Sequence, residues 1–157
     1  MNLLEASIES IQQAMDSGSL TAVQLTQYYL DRIAVYDQQG PGLNSIRVLN
    51  DDALKQAAAL DDERSRQGAR SMLHGIPILV KDNYETKGMP TTVGSVLFKG
   101  FAPDRDAYLV SKLKNAGALL LGKTNMQEFA YGITNVGSIH GFTRNPYDPT
   151  RNPGGSS

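Results

Sequence analysis

The sequence predicts an α/β fold with a largely parallel or mixed sheet. Short apolar runs of strand length alternate with segments of helical periodicity, an order that suits neither a helix bundle nor a β-sandwich. The chain holds no internal repeat, and at 157 residues it is about the size of one domain.

The elements follow in order. Ile8, Ile11 and Met15, separated by Gln, Glu and Asp, give an amphipathic helix with Ser7 as its cap and Gly18 as its end. Thr21 followed by Gln24 has the pattern of a capping box, and Leu25, Tyr28, Tyr29, Leu30, Ile33 and Tyr36 come after it at helical spacing. That aromatic stripe reads as packing. Residues 38–44 are rich in turn formers, and Ile46, Val48 and Leu49 then read as a short strand. Asn50 or Asp51 is expected to cap the next helix, which runs through Leu54, Ala57, Ala58 and Leu60 into a charge run at 61–66, read as solvated surface.

Ile76, Ile78, Leu79 and Val80 have the pattern of a buried strand, closed by Lys81, and Gly88, Pro90, Thr91 and Thr92 form a loop beyond it. Asp106 is placed to cap a helix carrying Tyr108, Leu109, Val110 and Leu113, with Ala116 and Gly117 at its end. Residues 118–121 form another apolar strand, ending at Gly122 and Lys123, and this second lysine reads as a surface residue. Residues 125–130 suit a helical turn or two. From Gly132 onward the Gly, Asn, Pro, Thr and Ser content means an ordered loop or a linker.

Composition excludes several kinds of chemistry. Fifteen basic and 16 acidic side chains leave a net charge of −1, which gives no reason to expect nucleic acid as a partner. There are no cysteines, so thiolate nucleophiles and cysteine-ligated metals are out of reach. His74 and His140 are the only imidazoles and stand far apart in sequence, so no metal site is expected. No apolar run approaches the roughly 20 residues of a membrane span, and the first residues lack a secretory signal pattern. A cytoplasmic protein is the expectation.

Chemistry is suggested first at Lys81. An ammonium at the end of a buried strand is costly to desolvate, so it must reach water, pair with a carboxylate or give up its proton. In the last case it becomes a base. The second suggestive stretch is the terminal Gly154-Gly155-Ser156-Ser157, which alone would pass for a flexible linker and is not a phosphate-binding loop, since no Gly-Lys-Ser/Thr follows.

Taken together, four blocks are specific: Gly75-Ile76-Pro77-Ile78-Leu79-Val80-Lys81-Asp82-Asn83, Gly117 through Phe129, Thr143-Arg144-Asn145-Pro146-Tyr147-Asp148-Pro149, and Gly154-Gly155-Ser156-Ser157. From about residue 20 to the end the chain resembles the amidase signature family. The resemblance implies the N-terminal part of that family's fold, a mixed central sheet covered by helices, with residues 1–157 forming a single partial domain cut inside the signature. It implies a Ser-Ser-Lys triad in which Lys81 and Ser156 are two members, Ser156 following a cis peptide bond, while the nucleophilic serine lies beyond residue 157. It also places Ala130, Tyr131 and Gly132 beside the acyl pocket and Ser157 near the triad, with no cofactor and no metal.

The chemistry implied is hydrolysis of a carboxamide, in a small molecule or a peptide, through a seryl acyl-enzyme. A serine hydroxyl is a poor nucleophile until a base takes its proton, and a lysine serves only as the free amine. The intervening serine acts as a relay. Within the family, residues 39–45, 50–54 and 102–110 look more like peptide amidases and general amidases than like the A subunit of a tRNA-dependent glutamine amidotransferase. That amidotransferase component, or a non-catalytic domain that keeps the fold, remains the alternative. No membrane association is implied, and a homodimer is left open.

Overall fold

In the computed structural model, which describes residues 2–156, helices and strands alternate as expected. Helix α1 (Ile8–Asp16) starts at Ser7, whose hydroxyl accepts the Ser10 N–H at 3.1 Å. Helix α2 (Ala22–Ile33) opens with the expected capping box: Thr21 Oγ1 accepts the Gln24 N–H, and Gln24 Oε1 accepts the Thr21 N–H. A wider turn, Ala34–Gln38, continues it.

Helix α3 (Ala53–Gln67) begins later than expected, with Asp52 at its cap position. Asn50 instead shapes the turn in front, its side chain accepting the Asp52 N–H at 3.1 Å and its carbonyl the Ala53 N–H at 3.0 Å. The charge run at 61–66 is not a mere solvated face. Asp61 accepts the backbone N–H groups of Ala22 at 2.7 Å and Val23 at 3.1 Å, donors that the first turn of α2 leaves without helical partners. Arg64 reaches Asp16 of α1 at 2.5 Å and the His74 carbonyl at 3.1 Å. These partners belong to other elements, so the periodicity of α3 alone gave no sign of them.

The main sheet has the order β1-β3-β2. Strand β2 (Pro77–Lys81) and strand β3 (Leu119–Thr124) are parallel, joined through helix α4 (Tyr108–Asn115), as a parallel pair requires a long crossover. Strand β1 (Ile46–Leu49) lies antiparallel on the other side of β3. The central strand is buried from Leu119 to Lys123. Strand β2 is less covered than its apolar run suggested, because it has a sheet neighbour on one side only among the described residues, and Leu79 is 39% exposed. One core joins Ile11, Met15, Leu25 and Ala57 of α1–α3 to Ile76 and Leu119; a second joins Val110 of α4 to Val80, Met89 and Leu120.

Helix α4 is also capped differently from the expectation. Ala107 takes the cap position, and Asp106 holds the Lys114 ammonium with both carboxylate oxygens at 2.8 Å and accepts the Lys87 N–H at 2.8 Å. At its far end Gly117 has φ +91°, and a Cβ there would stand 2.8 Å from His74 Nδ1. His74 itself is buried, with Nε2 2.9 Å from the Leu60 carbonyl. Beyond β3 a short hairpin, β4 (Val136–Gly137) and β5 (Gly141–Phe142), is the regular part of the Gly- and Asn-rich tail.

Sheet register separates the two lysines. Val80 pairs with Lys123 and Lys81 with Thr124. Successive strand residues point to opposite faces, so Lys123 shares the face of Val80, and Lys81 takes the other. Contrary to the surface reading, Lys123 is 0% exposed. Its ammonium pairs with Asp82 at 3.0 Å and donates to the carbonyls of Tyr84 (2.8 Å) and Pro90 (3.1 Å) and to Thr91 Oγ1 (2.6 Å). Burial pushes the Lys123 ammonium below the usual lysine range, and the Asp82 carboxylate pushes back.

Two stability outcomes follow for urea denaturation of the chain. Asp61→Ala removes the acceptor at the start of α2 and lowers the unfolding free energy by about 1–2 kcal/mol. Lys123→Met leaves a buried carboxylate without its cation and costs about 3–5 kcal/mol.

Candidate active site

Lys81 is the last residue of β2, and its Nζ lies 2.5 Å from the hydroxyl of Ser156. The residues are 75 apart in sequence, and both are half-buried. The peptide bond between Gly155 and Ser156 is cis. Gly155 passes so close to Ile133 that a Cβ would stand 3.0–3.2 Å from that residue's backbone atoms, and a larger residue there would have to push that backbone aside. The Ser156 carbonyl accepts the Gln127 N–H at 2.9 Å, and this anchors the terminal loop to the segment after β3.

Gln127 gathers the surrounding loops. Its Oε1 accepts the Thr134 hydroxyl at 2.8 Å and the Val136 N–H at 3.1 Å, and its carbonyl accepts the Ala130 N–H at 2.8 Å. Beside it Glu128 accepts the Ser138 N–H at 3.0 Å, and hydrogen bonds from the Ser95 side chain and then Ser138 hold its carboxyl below the usual range. On the other side the Asn44 amide donates to the His140 and Phe142 carbonyls at 2.8 and 2.9 Å, tying the turn before β1 to the hairpin. His140 therefore sits in a packed loop. Burial first, and the Arg47 guanidinium next, push its imidazole below the ordinary value, with Asp82 acting in the opposite sense.

Two cavities border this face of the sheet. The larger, about 450 Å³, lies between α2 and the sheet and includes neither Lys81 nor Ser156 in its walls. The smaller, about 290 Å³, is lined by Thr124, the register partner of Lys81, with Asn125, Asn135, Thr143 and Pro153. The smaller one likewise has neither Lys81 nor Ser156 in its walls, so β2 borders only the larger, through Pro77 and Leu79.

The structure brings Lys81 and Ser156 together. Ala130, Tyr131 and Gly132 lie on the segment that follows Gln127, but all three are exposed, Tyr131 by 90%, and none lines either cavity. Ser157 lies outside the described residues. Three contributors escaped the sequence reading: Gln127, Asn44 and the Asp82–Lys123 pair. Opposite charges at the ends of two adjacent apolar strands were the available signal for the last.

Comparisons with known proteins identify the family. The sequence profile of the amidase family matches residues 24–157. The A subunit of the glutamyl-tRNA(Gln) amidotransferase of Azoarcus sp. (strain BH72) is 42% identical over 155 residues, covering 99% of this chain and 31% of the relative. Its namesake from Thermobifida fusca (strain YX) is 43% identical over 155 residues, with coverage of 99% and 31%. Among solved structures, native peptide amidase from Stenotrophomonas maltophilia is 46% identical with a TM-score of 0.93, covering 97% of this chain and 32% of that one. An amidase family protein from Bacillus anthracis str. Ames is 40% identical with a TM-score of 0.88, at 94% and 30% coverage. The chain thus spans about a third of the length of the proteins it matches. A profile match over most of its residues, and a mixed sheet superposing on those amidases, place this chain in the amidase family.

Proposed function

We propose that this chain is the N-terminal portion of an amidase domain and carries the base and relay of a Ser-Ser-Lys hydrolase. The observation behind the reading is the 2.5 Å contact between Lys81 Nζ and Ser156 Oγ. In the complete protein a second serine, supplied by chain beyond residue 157, attacks the carboxamide carbon. As its oxygen forms the new bond, its proton passes to Ser156 Oγ, and the Ser156 proton passes to the Lys81 free amine. The route reverses to protonate the departing amine, and water then cleaves the acyl ester. Ala130, Tyr131 and Gly132, open on the segment after Gln127, are available to border the acyl group once further chain packs there. The 157 residues alone have no turnover in this scheme. Apolar side chains left open, Leu79, Leu97 and Ile133 among them, fit a domain with further chain to cover them.

Peptide and small carboxamides are the favoured substrates, supported by the 46% identity to peptide amidase. A second reading has its own support. Relatives at 42–43% identity are named as components of a glutamyl-tRNA(Gln) amidotransferase, which runs against the expectation, drawn from balanced charge, that nucleic acid plays no part. In that reading the protein works with partner proteins on a tRNA-linked glutamyl group.

The test uses the gene product at the length of its relatives. Ammonia release from a C-terminal peptide amide, with no other protein added, is the expected activity, and Lys81→Met and Ser156→Ala each lower kcat by about 10²–10⁴-fold. Full activity in Lys81→Met overturns the mechanism. Turnover that appears only with co-purified partners and glutamyl-tRNA favours the second reading, and no labelling by a fluorophosphonate favours a non-catalytic domain.

A further inference from the structure

The buried pair Asp82–Lys123 lies on the sheet face opposite Lys81, yet it is bonded toward both members of the Lys81–Ser156 contact. Asp82 follows Lys81 directly in the chain. Its Oδ2 accepts the Thr92 N–H at 3.0 Å and also the Thr92 hydroxyl, and its carbonyl accepts the Val93 N–H at 3.2 Å. The Val93 carbonyl in turn accepts the Phe129 N–H at 2.9 Å, two residues beyond Gln127, whose own N–H holds the Ser156 carbonyl at 2.9 Å. A closed circuit results. It runs from Lys81 through Asp82, Thr92, Val93 and Phe129 to Gln127 and Ser156, and returns across the 2.5 Å contact.

Two features indicate that residues 92–94 are held rigidly in this circuit. Val93 is a β-branched residue at φ +55°, a conformation that persists only when its surroundings enforce it. Gly94, at φ +73°, packs so tightly on the segment after β3 that a Cβ would stand 2.9 Å from the Met126 carbonyl and 3.2 Å from Glu128 Cα. Thr92 and Asp82 are both buried, so water does not compete for the bonds between them. Lys123 closes the arrangement by donating to Tyr84, Pro90 and Thr91, which fixes the loop leading into Thr92.

We propose that Asp82, Lys123 and Thr92 are positioning residues that set the distance between the Lys81 amine and the Ser156 hydroxyl. The proposal deepens the reading of that contact as a proton-sharing pair and rests on it. Within the circuit the Thr92 hydroxyl and amide are the partners that join the Asp82 carboxylate to the loop reaching Phe129, beside the backbone bond from the Val93 N–H to the Asp82 carbonyl.

The experiment is trace acetylation, at fixed pH, of the gene product at the length of its relatives, read by peptide mass spectrometry. Exposed Lys55 serves as the internal standard and buried Lys123 as the reporter of unfolding. In the native chain Lys81, engaged by Ser156, labels more slowly than Lys55. Thr92→Val is expected to raise the Lys81-to-Lys55 ratio several-fold while Lys123 stays unlabelled, and Thr92→Ser restores the native ratio. An unchanged ratio overturns the proposal, and so does a parallel rise at Lys81 and Lys123, which makes the circuit a support of the fold alone. Activity of Lys81→Met in the same gene product is read separately, so a failure of the proton-sharing mechanism is distinguishable from a failure of this positioning role.

Discussion

A charge that water cannot reach has to be paired, and the ammonium of Lys123 is where this chain meets that requirement. Its four oxygen partners come from Asp82, Tyr84, Pro90 and Thr91, all within one loop that leaves the parallel neighbour of its own strand. Taking both ions out of water costs several kcal/mol each, and only such close geometry returns it. The loop can therefore hold few other conformations without stranding a buried charge. Because Asp82 is adjacent to Lys81, the same restriction reaches the candidate active site.

The sheet turns that restriction into a division of labour between two lysines. Both stand at or near the ends of adjacent parallel strands, and both follow an apolar run. Alternation along the strand sends one toward α4 and its loop, where it becomes a structural cation, and the other toward Ser156. The surface reading of Lys123 failed because nothing within its own strand shows which face the loop at 84–92 will cover.

Loops do the rest of the assembly. The terminal stretch resembles a linker by composition, yet the Gln127 N–H and the backbone of Ile133 fix Ser156 and Gly155 in place. Asp61 and Arg64 likewise convert a charge run into ties between three helices. In each case a polar group satisfies backbone or side-chain partners distant in sequence, and few of those partners leave a local signal.

Local chemistry was legible residue by residue. The Ser7 cap, the Thr21 capping box, the glycine end of α4 and the three strands follow from side-chain spacing and backbone preference, which act over a few residues. Lys81 and Ser156 are marked by the sequence blocks that contain them, the distance between them by nothing local. What only the tertiary structure decided was partnership: that Asp106 clasps Lys114 instead of capping its helix, that Lys123 lies buried against Asp82, and that Gln127 holds Ser156. Hydrogen bonds and ion pairs are short-ranged in space, not in sequence, so their partners are set when β3 draws β1 and β2 to its two sides and the loops close over them.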